Sequence, residues 1–253
     1  MSNICIDVSQ FQSKIDWKKV KASGVDYAMI RVGGRYGSSG KIYTDSRYKD
    51  NLNGALENNI KVGAYFFTQA VNEKEAIEEA EFCINICHNY NITLPIAIDT
   101  EYLDGGRHNN INRAQRTKVV KAFCERIKKE GYIPMFYCGS YYLKDNLISS
   151  ELTSYEMWLA QWSERPQCSR DFSIWQYSST GKINGISSNV DMNKMYKEYG
   201  TPIYDKYSDD IKVKAVNVLL GKYGNGEERK KKLGTSYLKT QELVNIIIER
   251  LGL

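Results

Sequence analysis

Histidine is almost missing from this sequence: its 253 residues include only His88 and His108. Two histidines cannot supply the His-rich ligand set of a catalytic zinc site. The six cysteines, at 5, 83, 87, 124, 138 and 168, include no C-x-x-C pair, so the usual spacing of structural zinc is absent too. Cys83 and Cys87 fall at i, i+4 on a predicted helix but would need two further ligands; no metal and no cofactor is expected. A Cys–His peptidase built on Cys138 and His108 finds no support in the spacing. No run approaches the ~20 apolar residues of a membrane-spanning helix, so membrane insertion is not expected. The N-terminal M-S-N-I-C-I-D-V lacks the basic segment and apolar core of a signal peptide. The expectation is a chain with no Sec-type address, held in the cytoplasm with its cysteines reduced and mostly buried. G-x-S-x-G does not occur. Gly33–Gly40 is glycine-rich but has neither the Lys-Ser/Thr of a P-loop nor the order G-x-G-x-x-G. The net charge of +5 is mild, and with no nucleic-acid motif present, no nucleic-acid partner is expected.

Hydrophobic residues make up 42% and charged residues 26%, which is the balance of an ordinary globular protein. Strand-like runs and helical periodicities alternate through the first two-thirds. The strand candidates are Ile4–Val8, Tyr27–Val32, Lys61–Phe67, Pro95–Glu101 and Ile133–Cys138. Helical patterns follow near Asp16–Ala22, Asp45–Asn58, Glu73–Tyr90, Arg113–Glu130 and Tyr141–Ile148. Helices then become scarce, and Met157–Gln161, Ser173–Tyr177 and Ser187–Asp191 read as three further strands. Five β-α units plus three strands make eight, which suits a closed α/β barrel that lacks its last helices. Gly33–Gly40 then reads as a loop over the barrel mouth. Around Tyr196–Asp209 the periodicity fails, and Gly200 and Pro202 mark a linker. Residues 210–253 are again helical, in three pieces.

The most informative stretch is L-P-I-A-I-D-T-E, residues 94–101. An apolar run ends in Asp99 and Glu101. On a strand, positions i and i+2 share a face, with Cα atoms roughly 6–7 Å apart. Two carboxyl groups so placed suit glycoside hydrolysis, in which one protonates the leaving oxygen and the other stabilises or attacks the developing cation. Taken alone, D-x-E is equally a solvated strand end. The barrel reading adds more acids, because function gathers at the carboxyl ends of barrel strands. Asp7 ends the first strand, and Asp191 is read as ending the eighth, beside it. Four crowded acids cannot all ionise easily, so at least one pKa should rise.

The motifs I-D-V-S-Q-F-Q (6–12), G-A-Y-F-F (63–67), I-D-T-E (98–101), M-F-Y-C-G-S (135–140), W-L-A-Q-W (158–162), I-W-Q-Y-S (174–178) and V-D-M-N (190–193) occur in that order. Together they resemble the glycoside hydrolase family 25 lysozymes, the Chalaropsis-type muramidases, over about residues 3–196. The resemblance implies an irregular (β/α)5β3 TIM-like barrel that cleaves the β-1,4 bond between N-acetylmuramic acid and N-acetylglucosamine in peptidoglycan. It implies Glu101 as general acid/base, with Asp99 steadying the 2-acetamido group or the oxocarbenium-like centre. Asp7 and Asp191 would tune protonation and hold the site's hydrogen bonds. Carboxyl spacing leaves retention and inversion both open; the resemblance favours retention, with the substrate's acetamido oxygen as nucleophile. Tyr65, Tyr137, Gln161, Trp162 and Trp175 lie within those motifs and are expected to bind substrate.

The tail V-L-L-G-K-Y-G-N-G-E-E-R-K-K-K-L-G (218–234) is similar to cell-wall-binding repeats of phage lysins. The expected organisation is a barrel over 1–196, a linker over 197–209 and a helical wall-binding module over 210–253. The expected function is that of a phage or prophage endolysin, kept in the host cytoplasm until it is released to the wall. The alternatives are a non-catalytic peptidoglycan-binding barrel and a wall amidase or peptidase. Only one repeat is present, so a homo-oligomer joined through the tail faces Ile211/Val218/Leu219 and Leu243/Ile247/Leu251 would be one route to avidity.

Overall fold

Successive side chains on a strand point to opposite sides, and here both sides are buried. In the computed structural model, which describes residues 4–199 and 207–251, one set of alternating residues fills a barrel interior. Cys5, Met29, Tyr65, Met135, Trp158 and Ile174 belong to it. The intervening set, including Ile6, Ile30, Val62, Ile98, Phe136 and Leu159, packs outward. This double burial is why the strands read as nearly continuous apolar runs.

The chain forms two units, Met1–Tyr199 and Gly200–Leu253. The first contains β1 (Ile4–Val8), α1 (Trp17–Ala22), β2 (Tyr27–Arg35), β3 (Ile42–Thr44), α2 (Tyr48–Glu57), β4 (Lys61–Phe67), α3 (Glu73–Cys87) and β5 (Ile92–Asp99). It continues with α4 (Arg113–Lys129), β6 (Pro134–Gly139), α5 (Ser140–Asn146), β7 (Glu156–Ala160), β8 (Ile174–Gly181) and β9 (Val190–Met195). The order β1-β9-β8-β7-β6-β5-β4-β2 closes through the β1–β2 pairing into an eight-stranded barrel, with β3 as an extra strand on β2. All neighbours in the ring are parallel except β9, which is antiparallel to both β8 and β1. Asparagine side chains start the two long helices. Asn72 accepts from Glu75 N at 3.0 Å and Asn112 from Gln115 N at 2.9 Å, each cap contributing about 1 kcal/mol.

Three expectations are corrected. Only part of Gly33–Gly40 is a loop: Gly33–Arg35 belong to β2 and residues 36–40 form the turn of a β2–β3 hairpin, where a Cβ on Gly33 would lie 2.5 Å from Tyr43 O and 2.7 Å from the Phe82 ring. The glycines permit that close approach. The fourth predicted strand begins earlier and stops at Asp99, so Glu101 lies beyond the ladder rather than on it. The last strand begins at Val190 and runs to Met195. Asp191 is therefore near its start, and it reaches the barrel mouth because β9 runs in the opposite direction.

The second unit holds α6 (Asp209–Leu219), α7 (Gly226–Leu233) and α8 (Tyr237–Leu251). Ile211, Ala215, Val218, Leu233, Leu243 and Val244 form its core with Tyr207. Arg229 ties the unit together. Its Nε donates to Gly224 O at 3.0 Å, Nη2 to Asn225 Oδ1 at 2.9 Å and Nη1 to Gln241 Oε1 at 2.9 Å. The G-N-G-E-x-R spacing thus joins the α6–α7 turn to α8. Two members of the basic run are paired within their own helix, Lys230 with Glu227 and Lys232 with Glu228. The faces expected to join copies are used differently. Ile211, Val218 and Leu243 are consumed inside the module, while Leu219 is exposed. Gly200, Pro202, the rest of 200–206 and the Leu251 side chain lie outside the described residues.

Candidate active site

Asp7 and Asp191 are register partners across β1 and β9. Asp7 is buried, and its Oδ2 accepts from Asn193 Nδ2 at 2.8 Å and Gln176 Nε2 at 3.0 Å. Those amides cannot turn round. Trp158 Nε1, which can only donate, bonds Asn193 Oδ1 at 2.7 Å, so the Asn193 NH2 must face Asp7. Gln176 Oε1 likewise accepts from Tyr137 Oη at 3.1 Å and Trp162 Nε1 at 3.2 Å. Burial first, and then the charge of Asp191, pushes the Asp7 carboxyl well above the usual range, against the pull of the two amide donors. Asp191 is itself raised by burial, and a hydrogen bond from Asp7 holds it back. The two carboxyls are thus coupled, each raised by burial, with Asp7 raised further by the charge of Asp191.

Asp99 ends β5 inside the mouth, in register with Phe67 of β4 and Tyr137 of β6. It is pushed well up by burial first, then by the charges of Glu101 and Asp7, while the Arg31 guanidinium pulls it down. Its Oδ1 is buried and has no hydrogen-bond partner among the described residues, an unsatisfied acceptor beside Glu101. Glu101 is half-buried and is pushed up to about 7, by burial first and then by Asp191. The four predicted acids are therefore brought together, each within electrostatic reach of at least one other. A carboxyl near 7 can hold a proton and release it at working pH, as a general acid must.

Two predicted aromatics form the floor rather than the walls. Tyr65 and Tyr137 are buried against Trp158, with ring centroids 5.7 and 4.8 Å away. Trp175 points out of the barrel into the outer core, its Nε1 donating to Gln161 O at 2.8 Å. Gln161 supports the same loop, its Oε1 accepting from Gln167 N at 2.6 Å. Of the predicted aromatics only Trp162, 64% exposed, offers an open ring face at the mouth.

Sequence reading missed others. Phe11, Tyr102 and Tyr141 are 70%, 68% and 82% exposed and follow the carboxyl ends of β1, β5 and β6. Their positions just past strand ends were the available signal. Also missed was a buried ion pair behind Phe11. Arg31 Nε donates to Asp45 Oδ2 at 2.8 Å, and the Arg31 guanidinium lies 4.8 Å from the Phe11 ring centroid. Asp45 also accepts from Gln10 N at 3.0 Å, fixing the turn that carries Phe11.

The profile of the Glycosyl hydrolases family 25 matches residues 6–186, and that of the CW_7 repeat matches residues 214–248. The chain is 29% identical over 224 residues to the autolytic lysozyme of Clostridium acetobutylicum, covering 85% of this chain and 65% of that protein. It is 26% identical over 200 residues to lysozyme M1 of Streptomyces globisporus, covering 75% and 66%. It thus spans just under two-thirds of the length of these relatives. Among solved structures, the modular autolysin LytC of Streptococcus pneumoniae superposes with a TM-score of 0.66 at 26% identity, over 77% of this chain and 46% of that one. The CTP1L endolysin shares the fold, with a TM-score of 0.66 at 20% identity over 98% and 99% of the two chains. A profile that spans most of the chain, over a closed barrel with four acids at its mouth, settles the family: the chain belongs to the glycosyl hydrolases of family 25.

Proposed function

We propose that this chain is a muramidase that cleaves the β-1,4 bond between N-acetylmuramic acid and N-acetylglucosamine in peptidoglycan. The observation that carries the reading is the pairing of Glu101, raised to about 7, with Asp99, whose Oδ1 awaits a donor. Glu101 gives its proton to the glycosidic oxygen as the C1–O bond breaks. Asp99 accepts from the N–H of the 2-acetamido group, turning the acetamido oxygen toward C1. That oxygen forms the new bond to C1, giving an oxazolinium ion and a free leaving hydroxyl. Water then adds to C1 while Glu101 takes its proton, restoring the acid and opening the ring, with net retention. Asp191 keeps Glu101 basic enough for both steps, and Asp7 holds Asp191 in place. The exposed Phe11, Tyr102, Tyr141 and Trp162 suit sugar rings that extend beyond the cleaved bond.

The similarity of the tail to the CW_7 repeat supports a second role, anchorage on the bacterial wall, with the protein acting there after release from the cytoplasm as an endolysin does. Product analysis tests the whole reading. Purified peptidoglycan should yield new reducing ends on N-acetylmuramic acid. Reducing ends on N-acetylglucosamine, or free amino groups, would reject it.

A further inference from the structure

Glu101 is the group most exacting in its placement, yet none of the described residues grips its carboxyl. Among the described residues no hydrogen bond or ion pair holds that side chain, and its neighbours act on it only through burial and the charge of Asp191. The strand has ended at Asp99. Among the described residues the backbone is last tied before Glu101 by Thr100 N donating to Tyr137 O at 3.0 Å, and is next tied by Gly106 N donating to Leu103 O at 2.8 Å. The aim of Glu101 therefore depends on how firmly Thr100 is set.

Thr100 is fully buried, and its hydroxyl meets His108, also fully buried, with Oγ1 to Nε2 at 3.1 Å. The other ring nitrogen, Nδ1, is 2.6 Å from Ala70 O. A carbonyl oxygen can only accept, so Nδ1 carries the ring proton and Nε2 is the acceptor for Thr100. Tyr142 Oη, 3.3 Å away, is the longer alternative acceptor for the one Thr100 hydroxyl proton. His108 is itself fixed, with its N–H donating to Gln69 Oε1 at 3.2 Å and its carbonyl accepting from Arg116 Nη2 at 3.2 Å. The Ala70 segment is tied in turn to the site. Ala70 N donates to Thr68 Oγ1 at 3.1 Å, and Thr68 N donates to Asp99 O at 3.0 Å.

Resting on the muramidase reading, we propose that His108 is a positioning residue: a neutral imidazole wedged between the loops after β4 and β5 that fixes Thr100 and so aims Glu101. A charged ring would not serve, since Nε2 would lose the lone pair that Thr100 uses. Burial, with Arg116 nearby, keeps the ring neutral by lowering its pKa to about 4.

The test uses the full chain on solubilised, uncross-linked peptidoglycan strands, with Thr100→Val, Thr100→Ala and Thr100→Ser compared at equal folded fraction by circular dichroism. Thr100→Val keeps the shape and removes the hydroxyl; Thr100→Ala leaves room for a water on Nε2 if the valine chain does not fold. The expected result is a loss of roughly tenfold to a hundredfold in kcat for Val or Ala, as for a small misplacement of a reacting group, with KM within twofold and with Thr100→Ser restoring most of the rate. A kcat for Val or Ala within twofold of wild type, or a loss carried by KM alone, overturns the positioning role. Failure of the underlying reading looks different, because wild-type protein would then release no reducing ends on N-acetylmuramic acid.

Discussion

Asp7 and Asp191 face one another across an antiparallel strand pair and share one hydrogen bond, so their charges are not independent. Asp7 is saturated from the side by two amides that Trp158, Tyr137 and Trp162 hold in one orientation. Asp191 faces the other way, as the charge that Glu101 feels most. The cluster is thus a coupled one: Asp7 and Asp191 shift one another, and Asp191 in turn raises the acid at Glu101.

Asp191→Asn removes the charge that helps hold Glu101 near 7. The ionised form of Glu101 then becomes easier to reach, so its pKa falls. The basic limb of the kcat–pH profile should move to lower pH, with activity at neutral pH reduced severalfold while the acidic optimum survives. Asp7→Asn should leave that limb nearer to its wild-type place, because Glu101 is raised by burial and by Asp191 rather than by Asp7. A rate–pH profile of both variants checks the ordering; an unmoved limb in Asp191→Asn would show that Asp191 does not set the acid.

Glu101→Gln should lower the lytic rate by at least roughly 10²–10⁴-fold, the usual contribution of a positioned proton donor. It should also change stability, with a defined sign. The folded-state pKa of Glu101 is raised, from 4.5 to about 7, so the folded protein binds more protons than the unfolded chain between those values. The wild type therefore loses stability as pH rises through that window, by on the order of 3 kcal/mol. The glutamine variant lacks this slope. Its Tm should match wild type near pH 4 and exceed it at pH 8, as calorimetry at both values would read.

Much of this was legible in the sequence, for identifiable reasons. Strands buried on both faces leave long apolar runs, and acids that close such runs, Asp7 and Asp99, stand out against them. Strand direction left no mark in V-D-M-N itself, which is why Asp191 was placed at the wrong end of its strand. The clue lay in the connection: residues 182–189 join β8 to β9, fewer than the dozen or so a parallel crossover needs. Gln176 and Asn193 were hidden because a polar residue alternating with apolar ones usually faces solvent, and here the polar side is the inside of the mouth. The open aromatics were hidden for a related reason. Nothing local separates Phe11 from a core phenylalanine; only the Arg31 guanidinium beneath it shows which of its faces is free.

Arg31 and Asp45 are both buried. Replacing Arg31 with Met leaves the Asp45 carboxylate without its cation, at a cost of about 3–5 kcal/mol by the usual behaviour of broken buried pairs. The double change Arg31→Met with Asp45→Leu should recover part of that loss, since no charge is then stranded. Both variants also remove the positive charge that holds Asp99 down, so Asp99 should titrate higher in each. Urea unfolding separates the stability effect, and the acidic limb of the rate profile reports the electrostatic one. Equal destabilisation by the single and double variants would mean that packing, rather than the stranded charge, carries the cost.

The tail allows a separation of anchorage from chemistry. Its apolar core is its own, and the barrel closes without it, so a chain ending at Tyr199 should fold and cleave soluble glycan strands at close to the full-length rate. Binding to insoluble walls should fall, because one of two linked contacts is lost and with it the effective concentration that linkage provides. Arg229→Ala makes the same cut without truncation. It removes three hydrogen bonds that join the α6–α7 turn to α8, and a unit of this size has little stability in reserve. Its thermal transition should therefore drop or vanish while that of the barrel stays in place, and wall sedimentation should weaken to the level of the truncated chain. If instead Arg229→Ala sediments with walls as wild type does while its helical unit melts early, the barrel alone supplies the wall contact and the tail has no part in anchorage.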